Sequence, residues 1–344
     1  MKTIMKTLFV AVSSLSLMFS VNAGEMTVSG SAKATYNIVN GTQAEMGVGI
    51  TNELNFTASG EMDNGYAWSY SMELDPDETD GSALNDDTQI NLTLNDMGKI
   101  KVCVSECSNN KKYAWDQSAY TTLTDTGLST GITYPSAEDS YATLQYHTPT
   151  LPFDTTASLA WGNAKSDAQS GNYDGAAATN SITAYSLVTK PVDGLTLSAS
   201  YYEVNDYDDG VTTENQLEEG GAWGATYAAG NFTVGYGKSY VSPESSVTVI
   251  ATASAATVDH VINTGMSIGF AVNDQLSVSY SKEDSEANQR TSTNTTYDIG
   301  VDTIQAAYSL GGATLSVARG DYDNVSYTQD ADRTETIIAM TFAF

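Results

Sequence analysis

Few residues in this chain could make or break a bond. Its two cysteines, Cys103 and Cys107, are separated by three residues. That spacing allows a disulfide, a pair of free thiols or part of a metal site. A structural zinc takes four ligands, and no histidine or further cysteine lies near them. The two histidines, His147 and His260, sit in no recognisable catalytic motif. A hydrolase needs such a ring beside a nucleophile or a water, and serine is too common here to mark one. No glycine-rich phosphate loop or dinucleotide fingerprint is present. Asp75-Pro76-Asp77-Glu78-Thr79-Asp80-Gly81 hints at a calcium loop, but Thr79 takes a ligand position and the glycine comes late. Asn205-Asp206-Tyr207-Asp208-Asp209-Gly210 fits no better. With 42 acidic residues against 14 lysines and arginines, the net charge is −28, which argues against nucleic acid as a partner. The expectation is a protein without enzymatic chemistry, cofactor or resident metal.

The first residues decide the compartment. Lys2 and Lys6 precede an apolar run from Leu8 to Phe19, and Val21-Asn22-Ala23 supplies a small-x-small cleavage pattern. The run is too short and too often interrupted by serine for a membrane helix. Residues 1–23 are therefore read as a signal peptide and 24–344 as the mature chain. The leader carries lysines and no acid, so its removal makes the chain still more acidic. An exported, oxidising setting favours a disulfide between Cys103 and Cys107.

The elements that must position any functional residue are strands. Segments alternating apolar with small polar residues recur about sixteen times, each followed by a turn or loop. Tyr66-Ala67-Trp68-Ser69-Tyr70-Ser71-Met72-Glu73-Leu74 is the cleanest, with its large side chains on one face and Ala67, Ser69, Ser71 and Glu73 on the other. The same parity turns Lys33, Glu53, Lys99 and Lys101 toward the polar face. Asn40-Gly41 is a hairpin signal. The segments near Ser181–Lys190 and Val261–Phe270 alternate less regularly. Between Val301 and Ile304 the apolar parity slips, which suggests a bulge.

Even-numbered connections are mostly tight, such as Asn95-Asp96-Met97-Gly98 and Leu310-Gly311-Gly312, while odd-numbered ones are mostly longer and acidic. Alternation without helices suggests a transmembrane antiparallel β-barrel of about sixteen strands, greasy outside and wet inside. Short turns at one end and long loops at the other are the asymmetry of outer-membrane barrels. A mean hydropathy of −0.24 is compatible with this, because such a strand needs only every second residue to be apolar.

The mature chain resembles the sixteen-stranded general diffusion porins of Gram-negative outer membranes. The resemblance rests on the strand count, the loop alternation, the terminal Phe344 and an exceptionally long third loop, about Ser105–Ala137. It implies that this loop folds into the lumen as a constriction and that three barrels associate into a homotrimer. Where the family tends to carry a Gly-Arg pair just before the loop, this chain has Cys103-Val104. The constriction candidates are Glu106, Asp116, Asp125, Lys111 and Lys112 on the loop, with Lys33, Glu53, Glu73, Lys99 and Lys101 on or near the wall. Phe342 and Phe344 look like the aromatic-ended strand recognised by barrel-assembly machinery.

The resemblance implies passive diffusion of ions and small hydrophilic solutes. Carboxylates lining a narrow wet passage would bias it toward cations, with weak selectivity as the alternative. Two other readings stay open: a channel selective for one nutrient, and a plugged structural or adhesive barrel. The expected surroundings are outer-membrane lipid and lipopolysaccharide, whose phosphates divalent cations could bridge to the acidic loops.

Overall fold

A strand whose side chains alternate greasy and wet is stable only where both environments exist, and a closed barrel in a bilayer supplies them. The computed structural model has that form. It describes residues 26–41, 46–74, 86–104, 106–120, 130–162, 181–205, 217–243, 258–289 and 297–344. Residues 1–23, Asp125 and both calcium-like acidic stretches, apart from Asn205, lie outside these.

Sixteen strands follow one another in sequence: β1 Met26–Gly41, β2 Met46–Glu61, β3 Ala67–Leu74, β4 Asp86–Thr93, β5 Lys99–Val104, β6 Thr143–His147, β7 Thr156–Gly162 and β8 Ser181–Val192. They continue as β9 Leu195–Asn205, β10 Glu219–Ala229, β11 Phe232–Ser242, β12 Val258–Ala271, β13 Leu276–Gln289, β14 Ile299–Ser309, β15 Ala313–Asp323 and β16 Arg333–Ala343. Each pairs with its sequence neighbours, and β16 pairs antiparallel with β1 to close the barrel. Closure leaves no edge strand to be satisfied by water. The seam is sealed to the last residue: Gly30 N–H donates to the Phe344 carbonyl at 2.8 Å, and Phe344 N–H to the Gly30 carbonyl at 3.0 Å.

The barrel is apolar on its outside. Val48, Ile50, Ile90, Val102, Leu144, Trp161, Trp223, Tyr236, Ile268, Ile304 and Val317 are all exposed, Val48 to 84%. An apolar surface of this extent would be a liability in water and is what lipid requires. The core is displaced to the inside of the loop end. There, clusters such as Ala137, Tyr141, Ile182 and Tyr202, or Trp115, Ile299, Val301 and Tyr322, pack the connections against the inner wall.

One local expectation needs correction. The parity slip between Val301 and Ile304 is not a bulge, because β14 pairs with β13 and β15 without a register shift. Ile304 faces outward, whereas Val301 is fully buried inside against Trp115. The strand is apolar on both faces because a loop, rather than water, covers its inner end. Asn40-Gly41 does mark a hairpin, since it ends β1 and β1 pairs antiparallel with β2, while Gly41 also pairs with Arg333 of β16. The irregular rhythm near Ser181–Lys190 has the same cause as the slip in β14, since Ile182 and Ala184 are buried in an inner cluster with Ala137 and Tyr202. The pairing with β9 is regular to Thr189 and shifts between Thr189 and Val192. Pro191 lies in that gap, and a proline has no N–H to give the ladder.

Candidate functional site: the passage beside the third loop

The connection after β5 turns inward instead of capping the barrel. Its root is fastened first. Cys103 and Cys107 are joined by a disulfide with Cα atoms 5.6 Å apart. Gln145 Nε2 donates to the Cys107 carbonyl at 2.8 Å. Glu138, on the returning limb, accepts the Asn109 backbone N–H at 2.9 Å. Burial pushes the Glu138 carboxyl up to about 7, against the Asn109 and Ser108 hydrogen bonds that favour its charged form. Asp139 is also raised by burial, and Lys112, 3.9 Å away, opposes that shift.

From this root the loop runs along the inner wall of the later strands. Lys111 N–H donates to Ser200 Oγ on β9 at 2.9 Å. Gln117 N–H donates to Ser267 Oγ on β12 at 2.9 Å. Ala119 N–H reaches Ser279 Oγ on β13 at 2.7 Å, and Tyr120 N–H reaches Gln305 Oε1 on β14 at 2.9 Å. On the way back, Asn263 Nδ2 donates to the Thr133 carbonyl at 3.0 Å and the Tyr134 hydroxyl to Glu283 Oε2 at 2.6 Å. A buried loop must find partners for its backbone, and inward serine, asparagine and glutamine side chains supply them.

The described part of the loop, residues 106–120 and 130–142, thus follows the inner side of β9–β14. Between the loop and β1, β2, β15 and β16 lies a cavity of about 580 Å³, lined by Lys33, Glu53, Tyr113, Asp116, Tyr120 and small hydroxyl side chains including Thr51, Ser316 and Thr341. Three of the expected residues thus meet. Lys33 and Glu53 lie on adjacent strands, where Lys33 pairs with Thr51 and Ser31 with Glu53. Asp116 faces them from the loop and holds its own turn, accepting from Ser118 Oγ at 2.6 Å. Low-dielectric walls and mixed charges of this kind act on any ion that enters.

The remaining candidates are spread out. Lys99 and Lys101 lie on β5 beside the root, paired with His147 and Gln145 of β6. Lys112 lies over the Tyr113 ring, 5.6 Å from its centroid. Glu106 is exposed in the first turn of the loop, with a left-handed φ of 43°. Glu73 stands near the end of β3 opposite Asp86, next to a register shift. The histidines are far apart in role: His147 Nε2 meets Gln145 Oε1 at 2.9 Å, and His260 Nδ1 meets Asp259 Oδ2 at 2.9 Å. Among the described residues, no group of three or more His, Cys, Asp or Glu is arranged to hold a metal ion.

Sequence reasoning missed Trp115, Tyr113, Tyr120, Glu138 and the polar wall residues that hold the loop. A signal for the first existed. Gly224, Gly237 and Gly265 fall at inward positions on three successive strands, where glycine weakens a strand unless something approaches closely.

No known family and no curated protein matches this sequence. Solved structures do match in shape. OmpF of Salmonella typhi, in complex with daunomycin, has a TM-score of 0.68 at 13% identity, over 94% of this chain and 98% of its own. An anion-selective porin from Comamonas acidovorans gives 0.65 at 12%, over 93% and 100%. The trimer form of OmpT from Vibrio cholerae gives 0.65 at 10%, over 94% and 100%. At such identities the likeness is one of architecture, and the sixteen-stranded barrel described above is the architecture of these porins.

Proposed function

We propose that this protein is an outer-membrane porin. Ions and small hydrophilic solutes diffuse passively through the gap between its third loop and the β1–β2–β15–β16 wall. The observation that carries the reading is the cavity at Lys33, Glu53 and Asp116, which lies beside the described part of a loop bound to the wall at Ser267 and Gln305. Two carboxylates against one ammonium there favour cations modestly, and the acidity of the whole chain acts in the same direction. The leader directs export, Phe342 and Phe344 present the last strand to the assembly machinery, and the apolar outer surface supports both a lipid setting and a homotrimer.

The test is conductance of purified mature protein in a planar bilayer under a KCl gradient. Ohmic steps with a reversal potential of cationic sign are expected. Steps with near-zero reversal would remove the selectivity and keep the pore. A folded, inserted barrel that gives no steps would replace diffusion with the plugged or adhesive role.

A further inference from the structure

Trp115 is 2% exposed, although it sits on a loop in the middle of a wet barrel. What buries it is the wall. Cross-strand pairing sets Gly224 of β10 opposite Gly237 of β11, and Gly237 opposite Gly265 of β12. These three glycines form one bare row across three strands. A Cβ on Gly265 would lie 2.1 Å from Trp115 Cε2 and Cζ2, and one on Gly237 would lie 2.8 Å from Cδ1. One on Gly224 would lie 2.9 Å from the Ala114 carbonyl carbon. Gly235 does the same for the backbone, since its Cβ would fall 1.8 Å from the Trp115 carbonyl oxygen. Each glycine forgoes side-chain packing and adds backbone freedom to the unfolded chain, which disfavours it in a strand. The indole accounts for Gly237 and Gly265, and the backbone of Ala114 and Trp115 for Gly224 and Gly235.

The row continues around the barrel as Glu283, Val301 and Tyr322, and the last two share a buried cluster with Trp115. Ser267 Oγ then locks the level of the loop. It donates to the Trp115 carbonyl at 2.7 Å and accepts Gln117 N–H at 2.9 Å. The locked residues are immediately followed by those that face Lys33 and Glu53 across the passage, Asp116 and Ser118–Tyr120.

We propose that Trp115 is the positioning residue that sets the bore. Its ring, seated on the glycine row, holds the Asp116–Tyr120 segment at a fixed distance from the opposite wall. This rests on the reading of the gap as the solute path. Trp115 lines no part of that path; it acts through the residues after it. Without the ring, the hydrogen bonds to Ser267, Ser279 and Gln305 still tie the segment, but each is exchangeable with lumen water, and its distance from the wall fluctuates.

The experiment compares wild type, Trp115→Ala, Trp115→Phe and Gly265→Ala in bilayers, each first shown to be folded by circular dichroism and resistance to unfolding in detergent. Trp115→Ala is expected to change single-channel conductance by at least about 1.5-fold and to raise open-channel noise. Gly265→Ala should do the same with Trp115 still present, because it evicts the ring, and Trp115→Phe should restore quieter steps. Folded variants that match wild type in both conductance and noise would overturn the proposal. If wild type is silent and Trp115→Ala conducts, the open-channel reading fails while the role of Trp115 stands. If both are silent, both fail.

Discussion

Glu138 and Asn109 close the root of the third loop: the Asn109 backbone N–H donates to Glu138 Oε2 at 2.9 Å, across the two limbs of the loop. The carboxylate is 2% exposed, and its burial favours the protonated form. An acid whose folded value is raised contributes stability that is fully present below its ordinary range and is lost as pH rises through the folded value. The window here runs from the ordinary glutamate range to about 7. Hydrogen exchange at Asn109 is therefore expected to show a tighter root at pH 5 than at pH 8, after correction for intrinsic rates. Glu138→Gln should flatten that difference. A wild-type root equally protected at both values would mean that Glu138 titrates as an ordinary surface acid.

The disulfide between Cys103 and Cys107 ties the end of β5 to the loop root. A cross-link over so short a loop contributes about 2 kcal/mol, mostly by restricting the unfolded chain. The double change to serine should leave the barrel closed, because the strand ladders do not depend on it, while loosening the root and raising current noise. Mass spectrometry of the unreduced peptide should find it two hydrogens lighter than the reduced form.

Charge at the passage should act in two directions. Combining Glu53→Gln with Asp116→Asn should lower the cation-to-anion permeability ratio by roughly half, and Lys33→Gln should raise it. Both effects should shrink between 0.1 and 1 M salt, as the screening length falls from about 10 to about 3 Å. Reversal potentials measured at both strengths decide this. Shifts that survive high salt would point to a steric origin.

The backbone and the ring of Phe344 can be tested separately. Its backbone closes the seam with Gly30, and its side chain is exposed to the outside. Phe344→Ala keeps the backbone pair. If the ring is a recognition signal, this variant should refold normally in vitro yet accumulate poorly in the outer membrane. Deleting the residue should also lower thermal stability in detergent, since two backbone hydrogen bonds go with it. Equal membrane levels of Phe344→Ala and wild type would assign the ring to the aromatic girdle alone.

Much of the barrel was legible because alternation is a local property. Tyr66–Leu74 or Thr336–Phe344 announces which side chain meets lipid without reference to the rest of the chain, and counting such runs gives the strand number. Inward parity likewise identified Lys33 and Glu53 before any fold was known. The route of the third loop could not be read this way. Gln117, Ala119 and Tyr120 are fixed by Ser267, Ser279 and Gln305, which lie 150, 160 and 185 residues further along the chain. None of those residue types is unusual at an inward position. Only the closed barrel brings them under the loop, and only there do Asp116 and Lys33 share a cavity, Val301 become an interior residue and three glycines become the seat of Trp115. Sequence by itself determined the wall, through a pattern that repeats every two residues. Tertiary structure decided the opening, because its width depends on packing between segments that carry no shared pattern.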